Sequence, residues 1–358
     1  MTVPMAGRAY DVTIGNGVIE RAGELLPELP KAERAFVIAD RTAAALWLGP
    51  LSAGLANRRL ALVHLTVPAG EEAKTLQVYG TLLHQLATQE AHRDDLIVAL
   101  GGGAVGDLAG FVAATYMRGL PLVQIPTTLT AQVDASIGGK TAVNLPEGKN
   151  LAGAFFQPRA VLADVATLAS LEEREYRSGL AEVAKYALAL DADLLGLLEG
   201  DPAPVLAREA AAMQDVVARC VRVKAATVAA DERDAGARLR LNYGHTLGHA
   251  LERLDAFAGR THGEAISIGM VFAARLAEAL GTCEPGLTGR TVRLLASLGL
   301  ETGGALPPIE EILAAFRLDK KYHGGVRFVL LLDVGQPVVA EDVAEAAVRA
   351  VLEEMGAQ

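Results

Sequence analysis

The sequence is poor in cysteine and in aromatic residues. Cys220 and Cys283 are the two cysteines among 358 residues, which excludes a disulfide framework and a CxxC metal site and indicates a reducing compartment. Aromatic residues make up 4% of the chain, whereas hydrophobic residues make up 51%. We therefore expect a core of Ala, Leu and Val, which suits helices packed on one another or on a parallel sheet. The length favours two domains.

Positive charge is also scarce, because 33 Lys and Arg stand against 43 Asp and Glu and give a formal net charge of −10. This balance argues against nucleic-acid or anionic-membrane partners, which need a basic surface. An anionic small substrate remains possible, since a pocket can be locally basic on an acidic protein. The N-terminal residues carry no apolar signal region, and Asp107 and several glycines interrupt the most apolar stretch, Leu96 to Met117. We expect a cytoplasmic protein.

Two patterns of hydrophobicity divide the chain. Up to about residue 165, short apolar runs alternate with helical segments, which is typical of a parallel sheet buried on both faces. These runs are Phe36 to Ala39, Leu60 to Val63, Leu96 to Leu100 and Leu122 to Ile125. Helical spacing then occupies 171–199, 203–230, 241–258, 263–281, 286–299 and 341–355, with a strand at 326–331. The sequence predicts an α/β domain with a Rossmann-like parallel sheet (1–168), an all-α domain (169–358) and a ligand in the cleft between them.

A glycine-rich turn follows the strand that ends at Leu100. Gly101, Gly103 and Gly106 satisfy the G-x-G-x-x-G pattern, in which glycines let the backbone approach a pyrophosphate at a helix N-terminus. The standard dinucleotide fingerprint also has an acid about 20 residues downstream, and 108–133 contains none. Asp40, at the end of an earlier strand, is the alternative partner for the ribose. The competing interpretation of the glycines is an ordinary strand-to-helix turn, and that of Asp40 is a solvated aspartate at a strand end.

The segment from Ser136 to Thr141 resembles a P-loop but lacks the first glycine, since Asp134 occupies that position. The residues that follow do not read as the start of a helix, so we reject a nucleoside triphosphatase. Lys140 and Lys149 are both bounded by glycine turns, which suggests contacts with an anion; two exposed lysines are the alternative.

Histidines and a carboxylate indicate a metal site in the helical half. His245 and His249 stand at i and i+4 on one helix face, and His262 follows across a short break. Glu182 lies on an apolar helix face, with Lys185 three residues later on the same face. Two imidazoles and one carboxylate are a ligand set for Zn²⁺ that leaves a position open for substrate. The spacing does not decide which two histidines bind, and an ordinary core or surface histidine is the alternative for each.

These motifs together resemble the 3-dehydroquinate synthase family over nearly the whole chain. The matching segments are 68–74, 101–107, 115–119, 126–128, 134–144, 148–150, 182–185, 242–249 and 319–321. Glycerol-type dehydrogenases share the fold but are not expected to carry this lysine-rich set, whereas other sugar-phosphate cyclases are closer relatives. The resemblance implies a dehydroquinate synthase-like fold and a carbon–oxygen lyase of the shikimate pathway, which leads to chorismate and the aromatic amino acids. The substrate is 3-deoxy-D-arabino-heptulosonate 7-phosphate and the products are 3-dehydroquinate and phosphate.

In this family NAD acts catalytically: an alcohol is oxidised, phosphate is eliminated, the carbonyl is reduced, and ring opening and an aldol closure follow. The resemblance assigns the Zn²⁺ or Co²⁺ ligands to Glu182, His245 and His262, and leaves His249 as a proton shuttle or a partner of a substrate hydroxyl. The other implied substrate-binding or catalytic residues are Lys140, Asn150, Arg238, Asn242, Lys185, Lys224, Asp134, Arg118 and one of Lys320 or Lys321. The implied NAD-binding residues are Asp40, Gly70, Glu71, Lys74, Gly103, Ala104, Val105, Gly106, Asp107, Thr127, Thr128, Lys140, Lys149, Thr167 and Ser170.

Two further points come from the resemblance. The turn from Thr167 to Ser170 departs from the family's usual proline-containing form. In the family, the arginine at the position of Arg118 reaches into the neighbouring subunit's active site, which implies a homodimer.

Overall fold

The structure is a computed structural model that describes residues 1–5, 9–29, 31–233, 236–255, 259–317 and 326–358. The chain folds into two compact units: unit 1 is Met1–Leu171 with Ala210–Arg233, and unit 2 is Glu172–Glu209 with Asp234–Gln358. The helix at Ala210–Ala230, which the sequence pattern groups with the helical half, therefore belongs to unit 1. The assignment of cofactor binding to 1–168 and of substrate binding to 169–358 stays a prediction.

Five strands follow stretches predicted from the sequence, at 36–39, 60–63, 96–100, 122–125 and 326–331. The strands of the described residues lie in both units. They are β1 Thr2–Val3, β2 Tyr10–Gly15, β3 Arg34–Asp40, β4 Ala61–Val67, β5 Leu96–Gly101, β6 Leu122–Pro126, β7 Lys140–Leu145, β8 Gly148–Phe155, β9 Ala160–Asp164, β10 Phe328–Asp333 and β11 Gln336–Ala340. The helices are α1 Ala22–Leu25, α2 Arg41–Gly54, α3 Leu76–Thr88, α4 Gly103–Thr115, α5 Glu173–Ala189, α6 Ala192–Gly200, α7 Ala203–Leu206, α8 Ala210–Ala230, α9 His245–Leu254, α10 His262–Ala279, α11 Leu287–Ser297, α12 Ile309–Arg317 and α13 Glu345–Glu354.

A seven-stranded sheet in the order β1-β2-β9-β6-β5-β3-β4 forms the centre of unit 1. The pairs from β2 to β4 along this order are parallel, and β1 is antiparallel to β2. Alternate side chains of β3 enter different cores: Phe36 and Ile38 pack with residues of α3 and α4, whereas Ala35 and Val37 pack with residues of α1 and α2. Burial on both faces explains the continuous apolar run, and the predicted parallel sheet is confirmed.

The strand order reverses its direction between β3 and β5. The chain steps from β3 outward to β4 and then returns past β3 to β5 and β6. In open α/β sheets, ligands bind beyond the carboxyl ends of the strands at such a switch point. The switch point places Asp40, the last residue of β3, and Gly101, the last residue of β5, at the same edge of the sheet.

Helix α10 forms the core of unit 2, because nearly its whole surface is buried. Glycines allow its neighbours to approach closely. A Cβ atom at Gly263 would lie 2.3 Å from the Cα atom of Ser178 on α5, and one at Gly269 would lie 1.9 Å from the carbonyl oxygen of Gly244. Since both distances are far below van der Waals contact, glycine is required at these crossings. The predicted helical second half is confirmed, with the antiparallel hairpin β10–β11 beside it.

Some boundaries differ from the sequence pattern for local reasons. The predicted helix at 203–230 is broken between α7 and α8, where Arg208 adopts φ +58°. The predicted helix at 241–258 begins as a 3-10 helix at Ala237–Asn242 and restarts as α9 after Gly244, whose φ is +78°. The sequence pattern does not indicate the antiparallel hairpin β7–β8, in which short apolar stretches are interrupted by glycine and lysine. None of the helices built by the described residues combines the length and the apolar character that crossing a bilayer demands.

Candidate active site

Three potential metal ligands converge in unit 2 from three helices. Glu182 lies on α5, His245 begins α9 and His262 begins α10. The Oε1 atom of Glu182 lies 3.0 Å from Nε2 of His262 and 3.4 Å from Nε2 of His245. Each of the three residues offers a donor atom within 4.8 Å of the others, and they are the one such group among the described residues. Glu182 is 2% exposed and His245 is 8% exposed, so these side chains are withdrawn from bulk water.

Specific contacts hold the first turn of α10 against α5. The hydroxyl of Thr261 and the carboxylate of Glu264 form a capping box that starts the helix at His262. Arg174 of α5 donates two hydrogen bonds of 2.8 Å to the carboxylate of Glu264, and the backbone N–H of Gly263 donates to the Ser178 hydroxyl at 2.9 Å. These contacts fix the backbone on both sides of His262 and thereby place its ring opposite Glu182.

The second nitrogen of each ring has a partner of its own. Nδ1 of His245 lies 3.1 Å from the carbonyl oxygen of Tyr243, and Nδ1 of His262 lies 3.1 Å from Oε2 of Glu252. Both partners are acceptors, so each Nδ1 carries a proton and each Nε2 faces Glu182. In protein metal sites, an acceptor at one ring nitrogen commonly orients the other towards the metal. Glu252 was not predicted from the sequence. Its position directly after Ala250 and Leu251 in a helical segment is a signal for a buried carboxylate.

His249 lies next to the three potential ligands, one turn after His245 on α9. Its ring centroid is 5.2 Å from that of His245 and 6.4 Å from that of His262, and its side chain is exposed. Because residues four apart share a helix face, this difference in burial arises from the elements that pack around α9 and not from the helix period. The geometry thus separates the two histidines that spacing alone leaves equivalent.

The charges in this cluster stabilise one another. Burial raises the pKa of Glu182, but the ammonium of Lys185 and the nearby rings of His245 and His262 outweigh burial and hold that pKa well below its usual range. The Lys185 ammonium lies 2.5 Å from Oε2 of Glu182. Burial lowers the pKa of His245 to about 4, which keeps that ring neutral. Burial also opposes a charge on His262, but its hydrogen bonds to Glu182 and Glu252 raise its pKa to about 10.

The donor set fits a divalent metal ion. An ionised carboxylate and two imidazole nitrogens are the ligand types of catalytic Zn²⁺ sites, and three protein ligands leave a coordination position open. The cluster of two carboxylates around the His262 ring supplies the negative charge that a cation requires. Co²⁺ accepts the same nitrogen and oxygen donors, so the residues do not discriminate between the two ions.

In unit 1, the predicted glycine turn connects β5 to α4. Gly102 precedes the first residue of α4, and among the described residues no side chain caps this N-terminus. A Cβ at Gly101 would lie 2.9 Å from Val105, and a Cβ at Gly106 would lie 2.8 Å from Oε1 of Gln124. These glycines therefore permit close packing of helix on sheet and leave the helix N-terminus uncapped, the arrangement that favours a bound phosphate.

The other predicted residues at this sheet edge also have structural contacts. Asp40 caps α2 by accepting hydrogen bonds from the backbone N–H groups of Thr42 and Ala43, both at 2.9 Å. The backbone N–H of Thr127 donates to the carbonyl oxygen of Gly101 at 2.9 Å, and the Thr128 hydroxyl accepts from the N–H of Ala131. The Thr127 and Thr128 positions thus lie next to the glycine turn, and their contact with NAD stays a prediction.

A buried lysine joins two other predicted residues. The Nζ atom of Lys74, which is 3% exposed, lies 2.6 Å from the carboxylate of Asp107 and 2.5 Å from Oδ1 of Asn150. Asn144 extends the network, because it donates to Glu71 at 2.7 Å and accepts from the N–H of Asn150 at 2.9 Å. Asn144 was not predicted individually from the sequence. Burial raises the pKa of Asp107, and the nearby Lys74 opposes that rise.

We expect Lys74→Met to lower the free energy of unfolding by about 1–3 kcal/mol, because a largely buried acceptor that loses its partner retains its desolvation cost. Urea titration of the variant against the unsubstituted protein measures the difference. Lys149→Met is the matched control, since it removes a partly buried lysine from strand β8. Equal stability of Lys74→Met and the control would show that the contacts to Asp107 and Asn150 contribute nothing.

The remaining predicted residues occupy both units. In unit 1, Lys224 of α8 donates to the carbonyl oxygen of Asp134 at 2.6 Å and lies 2.8 Å from its carboxylate. Thr167 is buried and accepts from Gln132, and the Ser170 hydroxyl donates to the carbonyl oxygen of Thr167.

Arg118 is exposed at φ +66°, directly after Met117 at φ +47°. Two successive left-handed residues that are not glycine store backbone strain, and such strain clusters at functional sites.

Four predicted polar residues differ in their exposure. Lys140 is exposed at the start of β7, and Lys149 is partly buried on β8. Arg238 is 3% exposed, and the Asn242 amide donates to the carbonyl oxygen of Leu239. Gly70 begins a 3-10 turn at φ +62°. Lys320 and Lys321 lie outside the described residues.

Known proteins are similar to this chain in sequence and in fold. The family models described as 3-dehydroquinate synthase N-terminal and 3-dehydroquinate synthase C-terminal match residues 64–178 and 179–322. A 3-dehydroquinate synthase from Geobacter metallireducens is 44% identical over 336 residues, which cover 94% of this chain and 93% of that protein.

Two solved structures of other synthases are also similar to this chain. The 2-epi-5-epi-valiolone synthase from Streptomyces hygroscopicus, with NAD⁺ and Zn²⁺ bound, aligns with a TM-score of 0.88 and 28% identity over 98% of both chains. A 2-deoxy-scyllo-inosose synthase complexed with carbaglucose-6-phosphate, NAD⁺ and Co²⁺ aligns with a TM-score of 0.87 and 26% identity over 99% of both chains. Because the two family models together match residues 64–322 and the similarity to the Geobacter enzyme extends over nearly its full length, this chain belongs to the 3-dehydroquinate synthase family.

Proposed function

We propose that this protein is a 3-dehydroquinate synthase, a lyase that converts 3-deoxy-D-arabino-heptulosonate 7-phosphate to 3-dehydroquinate and phosphate. The observation that carries the proposal is the convergence of Glu182, His245 and His262 in a chain that is 44% identical to a named member of the family. The other cyclases align at 26% and 28% identity, which favours the 3-dehydroquinate synthase reaction over theirs.

NAD and a divalent ion, Zn²⁺ or Co²⁺, are the proposed cofactors. The two cyclase structures with NAD⁺ and a metal bound support this assignment, as do the three-ligand cluster and the uncapped α4 N-terminus. When bound, NAD supplies transient oxidation of a ring alcohol, which makes elimination of phosphate accessible, and the metal supplies Lewis acidity towards the hydroxyl oxygens.

The residues of unit 2 then have complementary roles. Glu182, His245 and His262 hold the metal, and Lys185 directs its charge to a hydroxyl or to the carboxylate of the substrate. His249 lies next to the metal ligands with its ring exposed, which suits a proton shuttle at the substrate. Arg238 and Asn242 are proposed to contact the phosphate.

In unit 1, the network of Glu71, Lys74 and Asp107 beside the α4 turn supports binding of NAD. The remaining proposed NAD contacts are Asp40, Gly70, Gly103, Ala104, Val105, Gly106, Thr127, Thr128, Lys140, Lys149, Thr167 and Ser170. Lys140 and Asn150 are proposed to contact the substrate phosphate, and one of Lys320 or Lys321 to assist them. Lys224 is proposed to contact a hydroxyl or the carboxylate of the substrate, and Asp134 to orient it, since the lysine reaches both the carbonyl and the carboxylate of that aspartate.

Lys140→Ala tests the assignment of this exposed lysine to phosphate. We expect turnover to fall about 10-fold, because a hydrogen bond to a charged group contributes roughly 1.5–3 kcal/mol and this side chain is open to water. The affinity for NAD should change much less. Steady-state phosphate release and fluorescence titration with NAD measure the two effects. A loss confined to NAD affinity would remove Lys140 from the substrate contacts and leave it as a cofactor contact alone.

The resemblance also supports a homodimer in which Arg118 enters the partner subunit's active site, and a cytoplasmic location on the route to the aromatic amino acids. Sedimentation velocity tests the dimer. A mixture of Arg118→Ala subunits with subunits that lack His262 should recover part of the activity, because one of the two mixed sites then has both residues.

Phosphate release from the heptulosonate phosphate tests the proposed function itself. The purified protein with NAD should release phosphate, lose this activity in excess chelator and recover it when Zn²⁺ or Co²⁺ is restored. If the protein binds NAD and metal but releases no phosphate from this substrate, the proposal is wrong. The protein would then be another sugar-phosphate cyclase or a metal-dependent polyol dehydrogenase.

A further inference from the structure

Glu252 is a buried carboxylate that the proposed reaction does not use. It lies on α9, seven residues after His245, and is 6% exposed. Withdrawing a carboxylate from water is costly unless a charged partner or strong hydrogen bonds compensate. Its Oε2 atom lies 3.1 Å from Nδ1 of His262, on the side of the ring opposite Glu182. The two glutamates therefore hold the His262 ring between them.

The two histidine ligands are oriented by different means. Nδ1 of His245 faces a backbone carbonyl, that of Tyr243, so its orientation follows from the chain path into α9. Nδ1 of His262 faces a side chain on another helix, and its orientation therefore depends on the residue at position 252. His262 is also the more exposed ring, with 30% of its side chain accessible against 10% for His245. Packing alone restrains this ring less.

We propose that Glu252 is a positioning residue for metal binding: it fixes the proton of His262 on Nδ1 and directs Nε2 of that ring towards the metal held by Glu182 and His245. A carboxylate at this place also makes the imidazole a stronger donor to the metal. The inference rests on the proposed function, because it concerns the same metal centre. It adds a residue that touches neither the metal nor the substrate.

A purely structural role makes a different prediction. If Glu252 served only to tie α9 to α10, its loss would lower the stability of the metal-free protein and leave the affinity of the folded protein for metal unchanged. If it positions His262, the metal affinity falls and the coordination geometry changes while the fold remains. The two roles are therefore separated by measuring metal binding and metal-free stability on the same variants.

Two substitutions at position 252 grade the effect. Glu252→Met keeps the side-chain length but removes the acceptor, and we expect the affinity for Zn²⁺ and Co²⁺ to fall about 10- to 100-fold, the range found when a ligand's hydrogen-bond partner is lost. Glu252→Gln keeps an amide oxygen that accepts from Nδ1–H, so its loss should be smaller. Glu264→Gln is the matched control, because it removes a carboxylate of the first turn of α10 that contacts Thr261 and Arg174 instead of the ring, while glutamine preserves the capping box that positions His262.

The experiment measures metal dissociation constants by competition with a chromophoric chelator, the visible absorption of bound Co²⁺, and thermal unfolding of the metal-free proteins. The proposal predicts that metal binding weakens and the Co²⁺ spectrum changes most in Glu252→Met and less in Glu252→Gln. Glu264→Gln should behave like the unsubstituted protein. Glu252→Gln folds even if Glu252→Met does not, since it preserves size and polarity, and any weakening there supports the proposal. Affinity and spectrum unchanged in Glu252→Gln and Glu252→Met, or lowered equally in Glu264→Gln, would overturn it.

The failure of the proposed function has a separate signature. If the unsubstituted protein binds no stoichiometric Zn²⁺ or Co²⁺, the metal centre itself is wrong, and the role of Glu252 is overturned with it. If the unsubstituted protein binds metal and all position-252 variants bind equally well, only the role of Glu252 is overturned and the proposed function stands.

Discussion

His262→Ala is expected to leave the protein folded but unable to hold its metal or turn over substrate. The substitution removes one of three ligands and leaves Glu252 facing the space of the lost ring. We expect the metal affinity to fall by more than the roughly 100-fold that marks the loss of a ligand's partner. Lewis-acid stabilisation is worth several kcal/mol, so phosphate release should fall by at least about 10²- to 10³-fold. Metal content after dialysis and phosphate release measure the two losses.

His249→Ala is the matched control for this prediction, since it removes the neighbouring exposed imidazole from the same site. It should keep stoichiometric metal and lose about 10²-fold or more in turnover, the range of general acid–base catalysis. Circular dichroism of both variants checks that the helices are retained. Undiminished metal in His262→Ala, or loss of metal in His249→Ala, would reassign the ligand set.

Lys185→Met is expected to separate metal binding from turnover. The Lys185 ammonium lies 2.5 Å from Oε2 of Glu182, so it competes with a bound cation for the same carboxylate. Its removal should leave the affinity for Zn²⁺ equal or higher. Turnover should nevertheless fall about 10- to 100-fold, because a hydrogen bond from a charged group to the substrate is worth roughly 1.5–3 kcal/mol. Chelator competition and steady-state kinetics on the same preparation provide both numbers.

The comparison variant for Lys185 is Lys185→Arg, which keeps the positive charge and changes its shape. Arginine is larger and presents a planar fork, so it should retain the competition with the metal but restore little turnover. Weaker metal binding in Lys185→Met would contradict the competition between the two cations. Full turnover in that variant would remove Lys185 from the substrate contacts.

The parts of the fold that follow from local pattern were predictable. The buried strands β3 and β5 appear in the sequence as continuous apolar runs, and the turn from Gly101 to Gly106 marks the start of α4. The hairpin β7–β8 was not predicted, because its strands mix glycine, lysine and small residues and show no clear period. The grouping of α8 with unit 1 depends on packing between segments distant in sequence, which no local pattern encodes.

The candidate site was likewise only partly predictable from the sequence. The spacing of His245 and His249 indicates a shared helix face, but the difference in burial between them arises from the packing of α9 against α10. That packing depends on close approach at Gly269, far along the chain from either histidine. Glu252 was not predicted for a related reason: its partner, His262, lies on the next helix, and only the crossing of the two helices brings them within 3.1 Å.

The ratio of phosphate released to NADH accumulated, measured on the unsubstituted protein with the heptulosonate phosphate, Zn²⁺ and a catalytic amount of NAD, tests the central claim most directly. The proposed reaction reduces what it oxidises, so many equivalents of phosphate should appear per NAD with no lasting absorbance at the NADH wavelength. Accumulation of one NADH for each turnover, with no phosphate released, would contradict it and identify a dehydrogenase.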